Sequence, residues 1–452
     1  PISMRPDEPC DAAGAAVDDA GSVPVHDAGL RVTYYLFLGM GLATLLPWNL
    51  FISASEFYSY QFSGSPHQHT FQNWFSVVYM VSNFASNAYA MATVGRSNPH
   101  TRILGGQLAN TAAYVVGIAL PFLRGARGSV SFYIALAQLA VTAASSGMMT
   151  NSLFALVVHF PSSHSEGLLS GQAVAGVMAT AAQLLVAYSV APAGNIDRTT
   201  GPPQPAGGLV ARTVAYFAFA TVVSVLLTAA FWRVSHNPYY QQRTKHTCLP
   251  YEPLPPSSDD ASEYSVSPTP PAATVAEADP GAFADTFRQV SGYAYAVILT
   301  FAVTLSMFPS VTALVRSVSG FRLLTEWHFF VYNLGDFAGR RMAPSIPITR
   351  VSSLVLIGLL RILLIPAFFA CHLSYSVWYN AIQSDWAFLV LVVLLSSSNG
   401  LLSTRCAMTA PGLSSRPTIA GTIIGISISS GLALGSLLSW PVRSAGCLCL
   451  PF

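Results

Sequence analysis

The chain has 452 residues, of which 52% are hydrophobic and only 9% charged, with a net charge of +2. Soluble domains carry about 25% charged residues, so this chain lacks the polar side chains to coat a water-soluble body, and a mean hydropathy of +0.50 agrees. The small net charge and the absence of any Lys/Arg run exclude a nucleic acid polymer as partner.

Residues 1–32 open with an acidic, small-residue-rich stretch (Asp7, Glu8, Asp11, Asp18, Asp19, Asp27), expected to be a disordered cytosolic tail. Runs of about 20 mostly apolar residues then follow, each long enough to span a bilayer as a helix. They fall at 33–53, 75–94, 103–123, 130–158, 168–191, 209–233, 290–315, 327–348, 351–373, 386–409 and 418–440. The first run begins far from any cleavage-site pattern and reads as a spanning helix rather than a signal peptide. Internal prolines such as Pro47 and Pro366 are compatible with spanning, because neighbouring helices can satisfy the freed backbone groups.

Residues 234–287 break the series. They are rich in Pro, Ser and acidic residues and cannot bury a core, so they are expected to form a disordered cytosolic loop. The expected organisation is therefore helices 1–6 over 33–233, helices 7–11 over 288–440 and a short tail over 441–452. The expectation is an all-α integral membrane protein of about eleven transmembrane helices in a 6+5 layout, similar to two-bundle transporters in which a solute sits between the halves. Basic residues favour a cytosolic N-terminus by about two to one, with Arg124 and Arg127 standing against it.

The chemistry available is narrow. Lys245 is the only lysine, and it does not sit in a glycine-rich turn, so a phosphate-cradling nucleotide loop is excluded. The six cysteines form neither a disulfide framework nor a paired metal site. No catalytic residue, metal site or cofactor is expected.

The eighth run is the most informative. Asn333, Asp336 and Arg340 are spaced three and four apart and share one helical face. A charge at a helix centre costs about 2.5–3.5 kcal/mol on insertion scales. Pairing Asp336 with Arg340 lessens that penalty while leaving hydrogen-bonding capacity toward a cavity. Three readings stay open: contact with solute or gating, a structural pair locking the helix to a neighbour, or arginines marking the cytosolic end. In the first run Pro47, Trp48 and Asn49 combine a loosened helix, a stacking face and amide donors, or else an interfacial tryptophan beside a kink. Thr150, Asn151 and Ser152, then Ser170-Gly-Gln172, place polar groups in apolar runs, where hydrogen bonding between helices competes with solute contact.

Taken together these segments resemble the equilibrative nucleoside transporter family (solute carrier family 29). The first run, Gly41-Leu-Ala-Thr-Leu-Leu-Pro-Trp-Asn-Leu-Phe-Ile-Ser-Ala54, is similar almost throughout. Ser170-Gly-Gln-Ala-Val-Ala-Gly176, Met307-Phe-Pro309, Tyr332 to Arg340, Arg361 to Pro366, Ser398-Asn-Gly400 and Gly431-Leu-Ala-Leu-Gly435 follow in order. The resemblance implies an eleven-helix, major-facilitator-like fold and facilitative, alternating-access transport of nucleosides, sometimes nucleobases; a monomeric carrier in the lipid bilayer, with no enzymatic activity, is expected. It implies that Leu45 and Trp48 border the base with Met80 nearby, and that Asp336 and Arg340 face the ribose with Asn333 one turn earlier. Thr150 stands where the family usually has a base-contacting glutamine, followed by Asn151, and Asn83 replaces a commonly apolar residue; base selectivity is therefore an open question. The plasma membrane is the expected location, with a lysosomal or vacuolar membrane as the alternative. The competing mechanism is a proton-coupled carrier, or one for another polar or cationic solute, which would use Asp336 unpaired.

Overall fold

The computed structural model describes residues 23–68, 71–94, 96–123, 128–190, 206–244, 280–373, 376 and 378–446. The acidic tail up to residue 22, the Pro/Ser-rich stretch over 245–279 and the last six residues lie outside the described residues. The described chain is almost entirely helical. In the first half it forms α1 (Val23–Ser53), α2 (Ser55–Gln61), α3 (Phe71–Ala92), α4 (Pro99–Ala119), α5 (Ser129–Val157), α6 (Ser162–Val190), α7 (Ala206–Ser235) and α8 (Pro238–Thr244). The second half holds α9 (Pro280–Met307), α10 (Leu324–Met342), α11 (Val351–Leu360), α12 (Leu364–Phe369), α13 (Asp385–Thr409) and α14 (Pro417–Gly446).

All eleven apolar runs coincide with helices. Among the described residues nine helical spans are long and apolar enough to cross a membrane. The other two runs are α3 and α10, which have the length but not the apolarity: α3 carries Ser82, Asn83, Ser86 and Asn87, and α10 carries Glu326, Asp336, Arg340 and Arg341. Local chemistry trims several ends. Proline lacks a backbone donor and clashes with the carbonyl four residues back. Pro366 accordingly divides the ninth run into α11, a 3-10 turn over Arg361–Leu363 and α12, while Pro344 ends α10 in a 3-10 turn over Ala343–Ser345. Helix α1 starts at Val23, ten residues before the apolar run itself begins.

Packing repeats itself between the halves. Helix α1 lies along α6 as α9 lies along α14, and α3 pairs with α5 as α10 pairs with α13. Close backbone approach holds the first of these together: a Cβ on Gly41 would fall 1.9 Å from the Leu168 carbonyl oxygen, and one on Gly171 would fall 1.8 Å from that of Leu38. Gly431 and Gly435 serve the matching α14–α9 contact. The halves meet along two seams, α6 with α10 and α3 with α14, flanked by α5 with α14 and α6 with α13. Each of the two polar spans, α3 and α10, therefore has one face against the opposite half, while α3 exposes Val77, Val81 and Tyr89 on another. Polar groups inside a membrane persist where they face protein or a water-filled path.

The apolar cores are distributed unequally. We call the end where α1 starts and α8 lies the near end, and the opposite one the far end. Near-end residues of both halves form one core, including Phe37, Met40, Phe154 and Leu168 from the first half and Val297, Leu402, Ile423 and Ile424 from the second. Toward the far end the cores separate. One, around Phe51, Tyr58, Phe75 and Phe132, belongs to the first half alone. The other, around Met307, Phe368, Phe388 and Leu395, belongs to the second.

Candidate functional site

On the rim of the first-half far-end core, α1 and α3 contribute a tryptophan edge. Trp48 packs against Tyr79 with ring centroids 4.7 Å apart and an interplanar angle of 45°. It and Met80 are only partly buried, resting on the rim of the first-half core. Leu45, one turn before Trp48, is likewise half-buried. Helix α1 continues through Pro47, and the Asn49 side chain donates to the Leu45 carbonyl at 2.9 Å.

Across the seam, α10 presents its charged face. Arg340 Nε donates to Asp336 Oδ2 at 2.8 Å, and Arg340 Nη1 donates to the Leu169 carbonyl of α6 at 2.9 Å. Asn399 of α13 donates to the other carboxylate oxygen of Asp336 at 2.7 Å and accepts from Thr304 of α9 at 2.9 Å. Arg361, turned inward by the 3-10 break, donates to Ser398 Oγ at 2.9 Å and to the carbonyls of Thr300 and Leu395 at 2.7 and 3.0 Å. Both Asp336 and Arg340 are buried. Removing one partner from a buried pair leaves an uncompensated charge and costs about 3–5 kcal/mol. Yet two carboxylate oxygens offer about four lone-pair sites, so Asp336 retains capacity to accept from a hydroxyl. Asn333 is half-buried and lies against α6, where a Cβ on Gly176 would fall 2.0 Å from its Oδ1.

A third polar group lies on the other seam. Asn87 donates to Ser429 Oγ of α14 at 2.7 Å and accepts from Asn151 of α5 at 3.0 Å. Ser429 Oγ donates in turn to Asn83 Oδ1 at 3.3 Å, and Asn83 donates to the Ala143 carbonyl at 3.2 Å. Asn151 Oδ1 is buried without a hydrogen-bond partner. Thr150 is half-buried beside it in sequence.

The sequence-predicted residues thus fall into three groups. Leu45, Trp48 and Met80 stand at the far-end rim; Asn333, Asp336 and Arg340 stand on the α6–α10 seam; Asn83 and Asn151 are joined on the α3–α14 seam. Asn87, Thr304 and Ser429 were not singled out from sequence, although Asn87 stands four residues after Asn83 and so shares its helical face. Glu166 of α6 lies in the polar first turns of the helix, ahead of the apolar run over 168–191, so apolarity does not mark it. It accepts from Arg341 Nη1 at 2.9 and 3.0 Å.

Two repeated helical halves, polar helices turned to the seams and cores that part at one end define a two-bundle membrane carrier. The major facilitator transporter FucP from Escherichia coli, solved in an outward conformation, aligns with a TM-score of 0.51 and 13% identity over 93% of this chain and 98% of its own. The human organic anion transporter MFSD10 aligns with a TM-score of 0.56 and 16% identity over 92% and 95% of the two chains. These similarities establish the fold. In sequence, the chain is 26% identical to human equilibrative nucleoside transporter 2, covering 91% of this chain and 97% of that one. The family model described as nucleoside transporter matches residues 136–444. The chain belongs to the nucleoside transporter family, and is a multi-pass membrane carrier rather than an enzyme.

Proposed function

We propose that the protein lets nucleosides, and nucleobases sharing the same flat ring, equilibrate across a membrane by rocking its two halves around a central site. The observation that carries this reading is the unequal core: one shared apolar body at the near end and two separate ones at the far end. The apolar bodies of the two halves thus separate at one end only, where Trp327 of α10 still donates to the Tyr188 hydroxyl of α6 at 3.0 Å; this asymmetry is the one alternating access requires of each of its end states. A nucleoside combines an aromatic base with a hydroxyl-rich sugar and no charge, so its site needs stacking faces and a few convergent polar groups. In this reading Leu45, Trp48 and Met80 border the base. Asp336, Arg340 and Asn333 serve the ribose, and Asn83, Thr150 and Asn151 bear on base selectivity.

The passive mechanism is preferred over proton coupling because Asp336 is already neutralised by Arg340 on its own helix. The basic-residue bias supports a cytosolic near end, so that the stretches over 1–32 and 234–287 are both cytosolic and the site faces outward. The proposed location is the plasma membrane, and the proposed working unit a monomer.

The test is uptake of radiolabelled uridine and adenosine in transport-deficient cells. Asp336→Asn and Trp48→Ala are each expected to cripple uptake while the protein still reaches the membrane; full flux in both would refute the site. A proton gradient is expected to drive no accumulation above equilibrium, and accumulation would overturn the passive mechanism.

A further inference from the structure

Arg340 and Arg341 are adjacent, yet they do different things. Arg340 pairs with Asp336 on its own helix, four residues back, so that ion pair travels with α10 as one body. Arg341 reaches across to the other half. Its Nη1 donates to both carboxylate oxygens of Glu166, at 2.9 and 3.0 Å, and to the Tyr34 hydroxyl. Tyr34 and Ser170 also donate to Glu166, the former at 3.0 Å. Glu166 therefore has three donors around it, two from its own half and one from the opposite half.

The one that crosses is also the one that carries charge. The Glu166 side chain is 2% exposed, whereas that of Arg341 is 49% exposed. A carboxylate so deeply set depends on a cation, because neutral hydroxyls compensate a buried charge only in part. When the halves part at the near end, Arg341 must leave and Glu166 loses its counter-charge. Asp336 loses nothing in the same motion. The cluster borders an open cavity of about 420 Å³ lined by Tyr34, Ser163, Glu166, Arg341, Pro344 and Ser345, so it is reachable from the near-end face.

We infer that Glu166 and Arg341, shouldered by Tyr34, form a latch that holds the near end shut and sets the resting balance between the two orientations of the empty carrier. The latch is unlike the Asp336–Arg340 pair in that its ion pair itself crosses the halves, whereas Arg340 crosses only through its hydrogen bond to the Leu169 carbonyl. A ligand or bond present in only one of two states shifts the equilibrium by its differential free energy. Losing the latch therefore moves the empty carrier toward the state open at the near end. Apparent affinity falls in proportion to the fraction of competent carrier. Substrate presented at the far end then meets fewer competent sites, and substrate presented at the near end meets more.

The experiment is zero-trans uridine flux in both directions, in cells or sealed vesicles, reading the KM measured from each end. Arg341→Gln and Glu166→Gln are each expected to raise the far-end KM and lower the near-end KM, changing their ratio by about tenfold. The double variant is expected to match the singles rather than exceed them, as for two residues in one interaction. Ser170→Ala, which removes a donor from the same half, leaves the ratio unchanged. If a neutral variant fails to reach the membrane, Arg341→Lys keeps the charge without the planar fork and is expected to give a smaller shift in the same direction.

Loss of Vmax in both directions with an unmoved KM ratio would mean that the cluster is only structural, and would overturn the latch. So would additive shifts in the double variant. The inference rests on alternating access as proposed above. Absence of saturable flux in the unmodified protein would count against that reading, while an unmoved ratio in a working carrier counts against the latch alone.

Discussion

The apolar cores at the near and far ends of the molecule are joined in opposite ways, one across the halves and two within them, although Trp327 of α10 still donates to the Tyr188 hydroxyl of α6 at the far end. At the far end the first-half core is dominated by aromatic rings: Phe51, Tyr58, Phe62, Phe75 and Phe132 meet mostly edge to face, with centroids 5.2–6.2 Å apart. These contacts lie within one half. At the near end the apolar contact runs across the halves, and small residues bring backbones together: a Cβ on Gly421 of α14 would fall 2.4 Å from the Phe154 carbonyl oxygen of α5. Aromatic pairs have preferred geometries, and the first-half rings adopt them within their own half. Small residues let backbones approach closely, within the first half at Gly41 and Gly171 and across the halves at Gly421. The contrast teaches where motion can occur. Bonds within a half persist through a rocking cycle, and bonds across the near end are made and broken in it.

The severest way to break the comparison is to damage a half itself. Gly171→Val places a branched side chain where the α1 backbone lies within 1.8 Å of the Cβ position, and neither helix can yield without separating. Overpacking usually costs about 1–3 kcal/mol and occasionally more; against backbone on both sides we expect the upper end or beyond. The prediction is a loss of folded carrier of at least about tenfold, read by detergent-solubilised size-exclusion profile. A normal profile with altered kinetics would mean that α1 and α6 can slide, and that the first half is not a rigid body.

A valine at Gly421 acts across the halves instead. The clash is with Phe154 and with a Val158 methyl group at 2.8 Å, both in the opposite half. Separating the near end relieves it without disturbing either half. We therefore expect Gly421→Val to be made in near-normal amounts but to favour the orientation open at the near end. A strain of about 1–3 kcal/mol corresponds to a shift of roughly 5- to 150-fold in the balance. The measurement is labelling of Cys406, buried in the shared near-end core, by a thiol reagent applied from the near-end face. Faster labelling than in the parent is the expected result, and unchanged labelling with reduced protein would move Gly421 into the same class as Gly171.

How far this contrast was legible in the sequence depends on chain distance. The eleven spans were visible because a membrane imposes a length and an apolarity that can be read locally. The Asp336–Arg340 pair was equally local, four residues apart on one helix, and the structure closes it at 2.8 Å. Pro366 was visible too, but not that the break would turn Arg361 inward onto Ser398, Thr300 and Leu395. What no local pattern announces are partners far apart in the chain. Glu166 and Arg341 are 175 residues apart, and Asn87 and Ser429 are 342 apart. Arg341 looked like a marker of the cytosolic end, since a terminal arginine in sequence says nothing of a carboxylate across the bundle. Helical periodicity says which residues share a face; it does not say which face of another helix they meet.

The gentlest probe is one neutral hydroxyl that makes two hydrogen bonds across the other seam. Ser429 of α14 accepts from Asn87 and donates to Asn83, both on α3. Ser429→Ala removes one oxygen, creates little space and leaves Asn87 bonded to Asn151. Hydrogen bonds between helices in membranes average about 0.6 kcal/mol each by double-mutant cycles, so losing two gives an expected shift in the balance of orientations of at most about eightfold, toward the near-end-open state. Its direction matters more than its size. Should Ser429→Ala lower the far-end KM instead of raising it, the α3–α14 contact would be stronger in the other orientation. The seam around Asn87 would then be a pivot retained throughout the cycle, and the near-end closure would fall to the α6–α10 seam and the shared apolar core.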